Sequence, residues 1–274
     1  MTQALYLINL LLPFAYLLTF LFYALDFFNE KNLFSNSKRI FLFITLLTHI
    51  SYLLLRTIEF DHPPITNKFE IFSILAFAVS FSYFILELLT DVRGTGGFII
   101  LFALLFQIAS SLFIENNYVV PDVLRNRLLG LHVISALLGY SGITISAVYG
   151  LLFLVLYKNL KSSRFGLIFN RLPSLEILEK LSFNSLLIGF VLFTIAIIIG
   201  IIWLPSAFPN FSYSDPKLIG TALVWIIYGA GILSKFLANW YGKKVIIFSL
   251  TGFLLAVLSL ILTTTLATTF HSFY

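Results

Sequence analysis

LLGLHVISALLGYSGITISAVYGLLFLVLY, Leu128 to Tyr157, is a run of 30 residues without one Asp, Glu, Lys or Arg. About 20 apolar residues suffice to carry a helix across roughly 30 Å of hydrocarbon. The run is therefore a membrane span, and it is long for one crossing, so its C-terminal end is expected to continue as helix into the next connection. Its polar residues are hydroxyls, glycines and a single histidine, His132.

Seven more predominantly apolar runs, some with charges near their ends, lie on either side, at about 4–27, 40–56, 70–91, 97–114, 184–203, 218–238 and 245–268. The whole chain of 274 residues is 59% hydrophobic and 11% charged, with a mean hydropathy of +1.00. The connections are too short for a separate folded domain. The expectation is an all-α, multi-pass bundle of eight helices integral to the cell membrane, one transmembrane domain over 1–274. No basic residue precedes the first span and no small-residue cleavage site follows it, so it is not expected to be a cleaved signal peptide.

Basic residues give the expected orientation. The odd-numbered connections carry Lys31, Lys38, Arg39, Arg93, Lys158, Lys161, Arg164, Arg171, Lys180, Lys235, Lys243 and Lys244. The even-numbered ones carry Arg56, Lys68, Arg125, Arg127 and Lys217. Retention of Lys and Arg on the cytoplasmic side puts the odd connections inside and both termini outside. The net charge of +5 thus reports topology and lipid contact rather than nucleic-acid binding.

In this frame His132 lies just over a turn below the outer surface, and His271 lies at that surface just past the last span. His49 falls near the midplane and His62 in an outer connection. With no cysteine in the chain, disulfides, thiolate metal sites and self-attachment of haem through C-x-x-C-H are excluded. Every Asp and Glu falls in a loop or near a helix end, Glu87 being the deepest, so a midplane carboxylate for proton or cation coupling is not expected. No Ser/His/Asp set, phosphate-binding glycine loop or zinc helix is present.

His49 is costly at mid-membrane without a partner. It marks a functional site or bonds to a carbonyl or hydroxyl, with Thr48 and Ser51 close in sequence. His132 and His271 are either two interfacial histidines at one depth or the axial pair of one iron. A zinc site would need His62 or Asp215 as well, and His62, beside two prolines, reads as solvated. Connection 5 contains Leu-Pro-Ser-Leu-Glu (172–176), a helix start with Ser174 as cap. Leu175, Leu178 and Leu181 after it suggest a short amphipathic helix lying on the inner surface. Connection 6, from Trp203 to Lys217, is rich in aromatic and turn residues and could lie as a lid.

These elements, taken in order, resemble the cytochrome c assembly family of membrane haem-handling proteins, the CcsA/CcmC/HemX group, and most closely its eight-span HemX- or YpjD-like branch. The resemblance runs over about 40–274. It rests on His49 with Arg56; on Pro64, Asn67, Phe69 and Glu70; and on His132, Gly139 and Tyr140. It continues through residues 172–176, Asp215-Pro216-Lys217, Trp225 and Tyr228 to Phe270-His271. It implies non-covalent b-type haem at the outer face, stably held or in transit, with His132 and His271 as axial ligands. Trp203, Tyr213 and Asp215 would belong to the same site, and His49 would receive haem inside the membrane. The implied partners are an apocytochrome c or a membrane assembly subunit, the chain being at most one subunit of a haem lyase. The family's synthase members carry a tryptophan run ending in Trp-Asp-Pro-Lys. Here it reads Phe211-Ser-Tyr213-Ser-Asp215-Pro216-Lys217, and Leu233 or Ser234 stands near the place of a further histidine. HemX-like members, which lack the run, are linked to control of glutamyl-tRNA reductase levels, and a membrane transporter or structural subunit without haem is the third reading of the residues.

Overall fold

The structure is a computed structural model that describes residues 2–29, 35–92, 94–116, 118, 120–208 and 212–265. Its helices are α1 (Thr2–Phe28), α2 (Ser35–Phe60), α3 (Lys68–Thr90), α4 (Gly96–Phe113), α5 (Arg127–Lys161), the short α6 (Leu167–Arg171), α7 (Leu175–Ala207), α8 (Pro216–Leu237) and α9 (Lys243–Thr265). A single 3-10 turn, Asp122–Arg125, precedes α5. Among the described residues there is no strand, and seven helices are long and apolar enough to cross a membrane. The 23-residue α9 is an eighth long helix, so all eight expected spans coincide with a helix. The protein is an all-α, multi-pass integral membrane bundle. As expected, α5 outruns its crossing: its 35 residues would reach about 50 Å at the α-helical rise.

Local chemistry fixes several helix starts. Asn67 Oδ1 accepts the amides of Phe69 and Glu70 at 3.0 and 2.9 Å and so starts α3. Ser174 Oγ accepts the Ile177 amide, as its expected capping role requires. Asp215 Oδ1 accepts the Lys217 amide at 2.8 Å, with Pro216 in the first turn of α8.

The described chain divides into two compact units, 1–130 with 165–173, and 131–164 with 174–274. In the first, α1 packs on α2 and α4, and α3 on α2 and α4. Its outer faces are hydrocarbon, such as Leu7, Leu11, Phe14 and Leu18 of α1, while the same helix buries Tyr16, Thr19, Tyr23 and Asp26. Helix α3 buries Glu70, Ser73, Ser80, Tyr83 and Glu87 along its length. An apolar exterior around a hydrogen-bonded interior is what a lipid solvent favours.

In the second unit the core is hydrocarbon: Ile143, Phe183, Leu186, Phe193, Val224 and Ile232, with Tyr228 and Ala256. Helices α5 and α7 cross at glycine. A Cβ on Gly142 would stand 2.7 Å from Gly189 Cα and 2.8 Å from the Ser185 carbonyl oxygen. Small residues of this kind let membrane helices approach backbone to backbone. Ser146 links α5 to α7 and α9 through Ser182 and Ser249, both at 3.1 Å.

Four expectations change. Leu175, Leu178 and Leu181 do not start a separate surface helix. They are the first turns of α7, and Leu178 and Leu181 are buried. The charges that hid this continuity are accommodated, as Glu179 pairs with Lys235 at 3.0 Å. Lys38, Arg39 and Arg56 stand in α2 rather than in connections, and Lys38 and Arg56 are buried in ion pairs. Setting those two aside removes one basic residue from each side of the charge comparison and leaves its sign unchanged. Trp203 lies in the last turns of α7, buried, not in the following connection. His62 is buried rather than solvated, with Nδ1 2.9 Å from the Pro63 carbonyl.

Candidate functional site

His132 stands near the start of α5, and its Nδ1 lies 2.8 Å from the carbonyl oxygen of Ala196 in α7. A carbonyl can only accept, so Nδ1 carries the proton and Nε2 keeps its lone pair. This is the arrangement in which metal-binding histidines are held, with one nitrogen tied to a carbonyl and the other offered as ligand. The approach depends on Gly200, one turn beyond Ala196. A Cβ there would meet His132 Cε1 and Nδ1 at 3.0 Å.

The imidazole lines a cavity of about 390 Å³ together with Gly200, Trp203, Tyr213, Lys217 and Thr221. Isoleucine, leucine and alanine side chains of α7 and α8 complete the wall. Its size and largely apolar lining are those of small-molecule and cofactor sites. Trp203 is fixed edge-on to Phe208, ring centroids 6.1 Å apart. Tyr213 is exposed at the cavity edge. Asp215 is buried as the cap of α8. It is not among the lining residues, so it sets the start of the helix that carries Lys217 and Thr221.

The structure thus brings together His132, Trp203 and Tyr213 of the expected site residues and gives Asp215 a supporting place. His271 lies outside the described residues. Gly200, Lys217 and Thr221 line the cavity but were not singled out as site residues from the sequence. A glycine within the helix Ile197-Ile-Ile-Gly200 is itself a signal, because its backbone entropy cost is accepted where something must come close.

His49 belongs to the other unit and is fully buried. Its Nδ1 is 2.9 Å from Tyr16 Oη and its Nε2 is 3.0 Å from Ser73 Oγ. Both partners are hydroxyls of neighbouring helices, whereas Thr48 and Ser51 bond back to their own helix, at the carbonyls of Ile44 and Leu47. The chain runs on from Ser73 to Gln107, 3.3 Å, and from Gln107 to Ser111, 2.9 Å. Both ring nitrogens are therefore occupied by protein. Among the described residues no group of three or more His, Asp or Glu could hold a metal ion by itself.

Comparison with known proteins gives a consistent result. The family model "Cytochrome C assembly protein" matches residues 5–271. The cytochrome c biogenesis protein CcsA of Pyropia yezoensis is 28% identical over 260 residues, covering 79% of this chain and 81% of that protein. CcsA of Prochlorococcus marinus strain MIT 9301 is 26% identical over 255 residues, covering 84% and 81%. CcsA of Guillardia theta is 27% identical over 218 residues, covering 72% of each.

Proposed function

This chain belongs to the cytochrome c assembly protein family, and on that premise we propose that it binds haem non-covalently and holds or passes it on during cytochrome c maturation. The observation that carries the reading is the His132–Ala196 hydrogen bond, which leaves Nε2 as a ligand nitrogen at the wall of an apolar cavity. The residues present fit a porphyrin. The cavity is of cofactor size, Gly200 gives the imidazole room, and Trp203 and Tyr213 add aromatic surface. His132 and His271 would be the residues that hold the iron, at the face that the charge distribution puts outside. Bound haem would supply a redox-active iron and the vinyl groups on which an apocytochrome's cysteines form thioethers. The chain's own work is positioning: Ala196 fixes the tautomer of His132, and the α7 and α8 side chains keep water from the apolar wall.

His49 is read as a residue that haem would meet inside the membrane. Ligation there would require Tyr16 or Ser73 to give up a hydrogen bond. The short aromatic stretch 211–217, with no tryptophan run, favours a holder or carrier over a complete lyase. It also favours the HemX/YpjD-like branch, and with it a second reading as a regulator of glutamyl-tRNA reductase levels. That reading would use the basic surface of Lys158, Lys161 and Arg164.

The test is the absorption spectrum of the full chain purified in mild non-ionic detergent. A Soret band is expected in the wild type and is expected to vanish in the double variant His132→Ala, His271→Ala. A band unchanged in the double variant would overturn the site. Neutralising Lys158, Lys161 and Arg164 should leave the band intact. If it also changes reductase abundance in cells, the regulatory reading gains.

A further inference from the structure

Among the described residues, the cavity beside His132 has one lysine in its lining, Lys217, and no carboxylate. Lys217 is the second residue of α8, half-buried, and its backbone is fixed by the Asp215 cap and by Pro216. Asp215 Oδ1 accepts the Lys217 amide, and the same carboxylate acts electrostatically on the Lys217 ammonium without forming a close ion pair with it. Among the described residues Lys217 makes no ion pair, although the other half-buried lysine of this unit, Lys235, is paired with Glu179 at 3.0 Å. An ammonium group at the edge of an apolar cavity is costly unless an anion meets it. Thr221, one turn along, adds a hydroxyl on the same face of α8. The positive end of the α8 dipole lies at the same place.

We propose that Lys217 is the specificity residue of this cavity: its ammonium group binds a carboxylate on the rim of a planar apolar ligand whose centre faces His132. The inference rests on the haem reading of the cavity, where the carboxylate is a propionate, and goes beyond it by assigning the acidic edge to one residue. A lysine stem lies along hydrocarbon while its head seeks charge. Iron and carboxylate are then bound by separate elements, α5 and α8. Neutral planar molecules that fill the same cavity gain nothing from Lys217.

The experiment separates carboxylate from iron. The full-length chain in non-ionic detergent is titrated with metal-free protoporphyrin IX, with its dimethyl ester and with haemin. Binding of the two metal-free ligands is read by quenching of tryptophan fluorescence, Trp203 being in the cavity wall. The variants are Lys217→Gln and Lys217→Arg. Lys217→Gln should weaken the diacid about tenfold or more, the size of a lost hydrogen bond to a charged group. It should leave the diester within about twofold, and Lys217→Arg should restore most of the loss. Comparing variants on each ligand removes differences in micelle partition. Equal weakening of diacid and diester would make Lys217 a packing residue and overturn the proposal. So would no change in either, which would mean that its ammonium group faces lipid headgroups or water. A His132-dependent Soret shift with haemin alongside either of those outcomes would leave the haem reading standing without Lys217. Selective diacid loss with no such shift would leave Lys217 standing and remove the iron ligation. Failure of the wild type to bind any of the three would overturn both.

Discussion

Helices α1–α4 close around polar groups bonded to one another, whereas α5 and α7–α9 close around hydrocarbon, and each set contains one buried or half-buried histidine. In the first set the satisfaction is nearly complete at His49. Tyr16 takes one ring nitrogen, Ser73 the other, and the chain continues through Gln107 to Ser111. In the second set His132 has one nitrogen tied to Ala196, while an apolar cavity lies beside the ring. The difference teaches that membrane depth does not decide what a histidine does. A ring with both nitrogens engaged holds helices together. A ring with one nitrogen engaged is oriented and still has a lone pair to offer. The same contrast appears in the charges, since Arg56 and Glu70 are locked together in the first set while among the described residues Lys217 of the second forms no close ion pair and feels Asp215 only at longer range.

The largest effect that would break this comparison lies at the Arg56–Glu70 pair. Arg56 Nε donates to Glu70 Oε1 at 2.8 Å, and its other nitrogens donate to Asn116 Oδ1 and the Glu115 carbonyl at 3.0 and 2.6 Å. Glu70 also accepts the amide and hydroxyl of Thr66 at 2.7 and 2.8 Å. Removing one partner of a buried pair costs about 3–5 kcal/mol, because the other charge is left behind. Arg56→Ala should therefore lower the unfolding midpoint in detergent more than any other substitution discussed here. The double variant Arg56→Met, Glu70→Gln should recover part of the loss, since glutamine keeps an acceptor for Thr66 and carries no charge. If Arg56→Ala unfolds where the wild type does, the first set is not held by its polar interior.

The two histidines give the next test, with effects in opposite observables. His49→Ala orphans two hydroxyls and opens a cavity, so a loss of about 1–3 kcal/mol in stability is expected. The protein that folds should still bind haemin added in detergent as the wild type does, because the His132 cavity is untouched. His132→Ala removes one hydrogen bond, about 1 kcal/mol, but should abolish most of the Soret band. Should His49→Ala instead lose the band at unchanged stability, His49 is an iron ligand and the contrast fails.

How far the sequence led can be judged from these residues. All eight long helices were legible because a span must be apolar over its length, and His132 stood out because polar groups are rare there. Helix ends were not legible where charges enter the bundle. Lys38 finds Asp26 at 2.5 Å, and Arg56 finds Glu70, partners 12 and 14 residues away. A local window counts such charges as loop. Leu178 and Leu181 gave a correct amphipathic stripe, but the buried face belongs to a continuous helix whose charges are paired. The tautomer of His132 depends on a carbonyl 64 residues away. That information exists only once α5 and α7 have packed.

Gly200→Ala offers the smallest and most discriminating change, because stability and binding should separate. Alanine is favoured over glycine within a helix by about 0.5–1 kcal/mol. The added Cβ would stand 3.0 Å from His132 Cε1 and Nδ1, so the imidazole must shift by a few tenths of an ångström or lose its Ala196 bond. The two effects are of similar size and opposite sign. The unfolding midpoint should then stay close to wild type while haem affinity falls several-fold. Gly130→Ala serves as the control, since a Cβ there meets nothing within 4 Å. It should raise stability slightly and leave the spectrum alone. Equal spectra for the two variants would mean that the orientation of His132 does not govern binding, and that its half-satisfied state is packing rather than preparation.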